Sequence, residues 1–151
     1  MSQIPPDAFL ISAQYGDVES ASVIRPHFQA LKAALKAELD AIQCEQLRQF
    51  AYVLRVGGAI TQFNFEGCER IDLNRKKQYI SIDVGVPIAR WKNCSDREIA
   101  EYLAASMREG LEQMLARLRA EKFECDEAAI RGMVEQGMVR YLATWAGPHS
   151  T

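Results

Sequence analysis

In several segments of the first 90 residues, apolar and polar residues alternate with the two-residue period of β-strands. In the run from Tyr79 to Val86, every second residue is isoleucine or valine, as expected where one strand face lies against a core. The alternation predicts strands at residues 8–15, 50–56, 59–66, 71–73 and 79–86. Gly57 and Gly58 can take the positive φ of a tight hairpin, and residues 74–77 read as a polar hairpin loop. Short turns between consecutive strands predict an antiparallel meander.

One early segment and the second half of the chain have the longer period of amphipathic helices. Pro26 suits the first turn of a helix, and apolar spacing predicts that helix over residues 26–43. Residues 18–24 form either a preceding turn or an extra helical stretch. Ser95 and Glu98 match a capping box, which opens a long helix that ends near Lys122. Two arginine–glutamate pairs lie four residues apart on this helix and can pair weakly: Arg108 with Glu112, and Arg117 with Glu121.

A last helix is predicted to start at the cap residue Asp126. Gly132 and Gly137 lie inside it and lower its helix propensity. We therefore expect close backbone contact with a neighbouring element at both glycines.

The order of these elements predicts the fold class. We expect an α+β fold: an antiparallel four- to five-stranded meander with three main helices packed on one face. No proline-, glycine- or serine-rich linker divides the chain, and 151 residues fit one domain, so residues 1–151 are predicted to form a single domain.

Charge and composition exclude several classes of protein. The hydrophobic fraction is 48%, which is ordinary for a globular protein. The formal net charge is −2, so the chain lacks the basic surplus of a general nucleic-acid binder. No signal peptide and no membrane-spanning run is visible, so we expect a cytoplasmic protein without membrane contact. Four irregularly spaced cysteines are interpreted as reduced thiols that are mostly buried.

Residues suited to catalysis are scarce. The chain has two histidines, of which His27 is interpreted as a surface residue of the first helix and His149 lies in the tail. Metal-ligand spacings and phosphate-binding glycine loops are absent from the sequence. We therefore predict no catalytic, cofactor-binding or metal-binding residues, no cofactor, and no enzymatic activity.

Four residues are candidates for contact with a partner: Glu66, Asp83, Trp91 and Arg75. Asp83 interrupts a β-branched strand, where it either faces solvent, pairs with Arg70 or Arg75, or presents an acidic contact. Trp91 follows the last strand as either a lid on the core or an interface anchor. Arg75 belongs to a basic hairpin tip that is either simply solvated or used for binding.

The middle and late parts of the chain resemble a known family. The motifs are Phe63–Gly67, the strand Tyr79–Pro87, Trp91, and the helix opened by Ser95–Glu98. Together they resemble bacterial immunity proteins of polymorphic-toxin and contact-dependent growth inhibition systems.

This resemblance implies a cytoplasmic antitoxin that binds and neutralises a cognate toxin protein domain, as a monomer or homodimer. An alternative is a small acidic secretion chaperone or adaptor that binds an effector protein. A third possibility is an enzyme of unrecognised type, which a pocket holding Asp83 or Glu66 beside a second perturbed carboxylate would favour.

Overall fold

A computed structural model describes residues 9–15, 18–36, 47, 49–57, 67–87 and 93–145. Within these ranges the chain forms four strands and three helices. In chain order they are β1 (Phe9–Tyr15), α1 (Val18–Lys36), β2 (Gln49–Gly57), β3 (Gly67–Asn74), β4 (Tyr79–Pro87), α2 (Asp96–Ala120) and α3 (Glu127–Thr144). The predicted α+β class with three helices is confirmed. The predicted strand at residues 59–66 lies outside the described residues.

The sheet is mixed, and the predicted antiparallel meander is wrong. The strand order is β1-β2-β4-β3, in which β1 pairs with β2 and β2 with β4 in parallel. Among the described strands, β3 and β4 are the one antiparallel pair. The helix α1 crosses over between β1 and β2, and such a connection brings two strands side by side in parallel.

The β3–β4 hairpin explains why β2 and β3 are not neighbours. Strand β4 carries the apolar side chains Ile80, Ile82 and Val84, all fully buried, and it takes the central place beside β2. Strand β3 carries Arg70 and Asp72, which are exposed, and it lies at the outer side of the described sheet. Charged residues and a bulge are usual on outer strands, and the register shifts between Glu69 and Ile71.

Helices α1 and α2 pack on the sheet, and α3 packs on both of them. Because α3 contacts both, α1 and α2 lie on the same face of the sheet. The buried face of β2 meets α2 directly, where the Tyr52 hydroxyl donates a hydrogen bond of 3.1 Å to the Met107 carbonyl oxygen. Gly110 permits this approach, since an added Cβ would lie 3.3 Å from Cε1 of Tyr52.

Helix α1 includes residues 18–24, which the sequence left open as either a turn or an extra helical stretch. It starts at Val18, so Pro26 lies inside the helix rather than in its first turn. Ile24 is fully buried and extends the apolar stripe of Leu31 and Leu35 toward the N-terminus, which favours helix before the proline. The predicted stretch 37–43 lies outside the described residues.

Both predicted N-caps are confirmed. The Ser95 hydroxyl accepts from the Glu98 amide at 3.1 Å, and the Glu98 carboxylate accepts from the Ser95 amide at 3.1 Å. The Asp126 carboxylate accepts from the Ala129 amide at 3.0 Å and opens α3. These caps fix the start of each helix because they satisfy amides that the helix leaves unpaired.

The two glycines of α3 have different environments. An added Cβ on Gly137 would lie 2.8 Å from Cδ2 of the buried Leu35, so the predicted close contact with a neighbouring element is confirmed there. An added Cβ on Gly132 would meet no atom of the described residues within 4 Å. The predicted close contact at Gly132 is therefore wrong.

Candidate partner-binding surface

Helices α2 and α3 form an antiparallel pair whose outer side is crossed by arginine–glutamate ion pairs. Arg108 of α2 binds Glu135 of α3 through two hydrogen bonds of 2.7 and 2.8 Å. Arg131 of α3 binds Glu112 of α2 in the same two-pronged manner, at 2.7 and 2.9 Å. Arginine–glutamate pairs of the same kind therefore link the two helices at two successive levels.

A third pair continues this arrangement toward the helix connection. Arg119 binds Glu127 at 2.8 and 3.1 Å, and Arg131 also reaches Glu127 at 3.2 Å. The hydrogen bonds from Arg131 and Arg119 lower the pKa of the carboxyl groups of Glu112 and Glu127, respectively. All of these groups are largely solvated, and exposed ion pairs contribute little to stability.

Sequence spacing predicted only part of this network. Arg117 and Glu121 do pair within α2, at 3.6 Å, as predicted. Arg108 and Glu112, which the spacing also paired, each bind a residue of α3 instead. A signal was present in the sequence: both helices carry Arg-x-x-x-Glu, and antiparallel packing places the arginine of each motif opposite the glutamate of the other.

A groove lies between the ion pairs. Its volume is about 390 Å³, and among the described residues it is lined by Arg108, Leu111, Glu112, Arg131, Gly132, Val134 and Glu135. Leu111 and Val134 are buried core residues and supply an apolar floor. Gly132 leaves open space where any other residue would place a side chain.

Two large apolar side chains are exposed among the described residues, and both belong to this helix pair. Val139 of α3 is 53% exposed, and Tyr102 of α2 is 37% exposed. The antiparallel register of the Arg108–Glu135 pair places them at a similar level along the two helices. Tyrosine is enriched at protein interfaces because it combines a large apolar ring with a polar end.

Two of the predicted partner residues, Arg75 and Asp83, do not line this groove. The Arg75 guanidinium donates to the Glu121 carbonyl oxygen at 2.6 Å and lies 4.5 Å from the centre of the Phe123 ring. It thus ties the β3–β4 turn to the end of α2, where carbonyl groups lack helical partners. Asp83 is only 7% exposed, so its interpretation as a solvent-facing residue is wrong, and it presents little surface to a partner.

Glu66 and Trp91, the other two candidates, lie outside the described residues. Of the four candidates, only Arg75 and Asp83 belong to the described part of the chain. Their role in partner binding stays a prediction. The groove residues were not among the predicted contacts, although Gly132 had been noticed as a costly residue in a helix.

His27 is buried, so its interpretation as a surface residue is wrong. Its Nε2 lies 3.1 Å from Oδ1 of Asp96 on α2, and its Nδ1 lies 2.7 Å from the Tyr141 hydroxyl on α3. Trp145 stacks on the ring with centroids 4.3 Å apart. Since the carboxylate only accepts, Nε2–H donates to Asp96 and the Tyr141 hydroxyl donates to Nδ1. His27 thus joins the three helices.

This arrangement holds a neutral imidazole. Burial lowers the pKa of His27, and the hydrogen bond from Nε2 to Asp96 only partly opposes this effect. Both ring nitrogens are occupied by structural hydrogen bonds, so the ring is not directed at a nucleophile.

Cys68 is also poorly suited to nucleophilic chemistry. Its Sγ donates to the Ser106 carbonyl oxygen at 3.1 Å, and burial raises the pKa of the thiol to about 11. A thiol with so high a pKa is almost fully protonated near neutral pH. Cys94 and Cys125, like Cys68, take part in no disulfide among the described residues, and all three are half-buried rather than buried as predicted.

Neither a metal-ligand cluster nor a membrane-spanning helix occurs among the described residues. No group of three or more histidine, cysteine or acidic side chains in them is placed to hold a metal ion. Within the same part of the chain, no helix combines the length and apolar character that crossing a membrane requires.

Comparison with known proteins gives one match. The family model Imm44, described as immunity protein 44, matches residues 8–136. Among curated proteins and solved structures, none matches the chain. The family match spans every described strand, all of α1 and α2, and α3 as far as residue 136.

Proposed function

The chain belongs to the immunity protein 44 family, and we therefore propose that it binds a cognate bacterial toxin domain and neutralises it. The family match over residues 8–136 is the observation that carries this proposal. The setting of such a pair is a polymorphic-toxin system. We propose that the complex forms in the cytoplasm and that the protein binds neither membranes nor nucleic acid.

Inhibition would act through binding alone. Immunity proteins are not normally catalytic, and the buried His27 is engaged in structural hydrogen bonds. Neutralisation by binding requires a rigid and specific surface, and a complex that dissociates slowly. The outer face of α2 and α3 has suitable features: fixed ion pairs, a groove, and the exposed side chain of Val139, which lies one helical turn after Glu135.

The secretion chaperone or adaptor is not favoured. Such a protein holds an unfolded client stretch, which calls for a long apolar surface. The exposed side of α2 and α3 is instead occupied by charged pairs, among them Arg108–Glu135 and Arg131–Glu112. This surface suits a folded partner better than an extended apolar one.

Co-expression in a bacterial host tests the proposal. The C-terminal domain encoded by the adjacent open reading frame would be induced alone and together with this chain. We expect growth arrest in the first case and growth in the second, with the two proteins co-purifying. Arrest that persists despite equal expression of this chain would contradict the proposed function.

A further inference from the structure

Gly132 is a helix residue without a structural explanation in its surroundings. Glycine weakens a helix, and helical glycines are usually retained where another element packs closely, as Leu35 packs on Gly137. At Gly132 the described residues leave the space empty, and this space opens into the groove between α2 and α3. The missing side chain therefore enlarges a surface groove rather than admitting a neighbour.

The groove has rigid, oppositely charged corners. Arg108 and Glu112 stand on the α2 side, and Glu135 and Arg131 stand opposite them on the α3 side. Each guanidinium is held by two hydrogen bonds to one carboxylate, which fixes its plane. These pairs add little stability in solvent, but they present two preorganised guanidinium groups beside an apolar floor.

We propose that this groove receives an aromatic side chain of the toxin domain; the inference rests on the proposed function above. The two positive and two negative corners balance, so the rim favours no net charge in the occupant. The floor of Leu111 and Val134 is apolar, and a volume of about 390 Å³ accommodates an aromatic ring.

The arginines favour an aromatic ring over an aliphatic side chain. A guanidinium attracts the electron-rich face of a ring, and its planar shape allows stacking. Arg108 and Arg131 both line the groove, from different helices. An occupant between them can therefore contact a guanidinium on either side while its edge rests on the floor.

Filling the groove from within tests this inference. Gly132→Leu places a side chain in the empty space and should leave the fold intact, because no described atom obstructs it. We expect its affinity for the toxin domain to fall by about thirtyfold or more, as for loss of an interface anchor. Ala33→Leu, at an exposed position of α1, is the matched control and should bind within about threefold of the unchanged chain.

Calorimetric titration and thermal unfolding give the readouts. Undiminished binding by Gly132→Leu overturns the groove assignment alone. Failure of the unchanged chain to bind contradicts the proposed function and removes the groove proposal with it. The two failures are thus distinguishable.

Substitutions in the toxin domain test the aromatic occupant. Each exposed aromatic residue would be replaced by alanine and titrated against the unchanged chain and Gly132→Leu. We expect one replacement to weaken binding to the unchanged chain but to cause little further loss with Gly132→Leu. If every aromatic replacement weakens both complexes equally, the aromatic assignment is wrong.

Discussion

His27 shows how one residue can be misread from sequence. A lone histidine near a helix start is usually exposed, and this one is fully buried at the junction of three helices. A signal was available: His27 lies three residues after Ile24 and four before Leu31, on the buried stripe of α1. Its partners Asp96 and Tyr141 are 69 and 114 residues away in the chain, so spacing could not identify them.

The buried imidazole predicts a pH dependence of stability. The unfolded chain binds a proton on His27 near the ordinary pKa of 6.5, whereas burial lowers the pKa in the folded protein. The unfolded state therefore binds more protons in this range. The stability contributed by neutral His27 is complete above pH 6.5 and is lost as the pH falls toward the folded pKa.

Urea unfolding between pH 7.5 and 5.5 measures this effect, about a pH unit on either side of the histidine pKa. We expect the free energy of unfolding to fall with pH in the unchanged protein and to change less in His27→Gln. The paired carboxyl groups of Glu112 and Glu127 do not interfere, since their pKa values lie below 4.5. An equal pH slope in both proteins would contradict the assignment.

At the scale of elements, local patterns predicted the helices and strands well, but not their pairing. The capping residues Ser95 and Asp126 and the alternation in β4 depend on neighbours in sequence, and all were read correctly. The place of β4 between β2 and β3 depends on which strand buries the most apolar side chains when it lies at the centre of the sheet. That comparison involves the whole core and is not visible in any one segment.

The groove between α2 and α3 was also hidden from local patterns. It forms only when two distant Arg-x-x-x-Glu motifs meet in antiparallel orientation. Gly132 could be recognised as unusual, but sequence alone gave it the same explanation as Gly137. Only the packing of α3 separates a glycine that admits a neighbour from one that opens a groove.

The two glycines give a matched pair of predictions for stability. Gly132→Ala should stabilise the protein by about 0.5–1 kcal/mol, because alanine favours the helix and meets no described atom. Gly137→Ala should destabilise it by about 1–2 kcal/mol, because the new methyl group would crowd the buried Leu35. Urea unfolding of the two variants measures both changes. Destabilisation by Gly132→Ala would show that the site is not open.

At the scale of the whole molecule, the apolar core and the outer sides of α2 and α3 have separate roles. The apolar core lies between the mixed sheet and the three helices, while the outer sides of α2 and α3 carry the ion pairs and the groove. Such a division gives a binding surface fixed geometry, since rigid elements lose little freedom on association. Specificity can then vary through the outer residues without altering the core.

Titration of the purified toxin domain into the purified chain tests the central proposal most directly. The account predicts a saturable complex with a dissociation constant below about 100 nM, together with loss of the toxin's activity at the same ratio. Absence of a complex while the toxin domain remains active would contradict it. So would substrate turnover by this chain on its own that a single side-chain replacement abolishes.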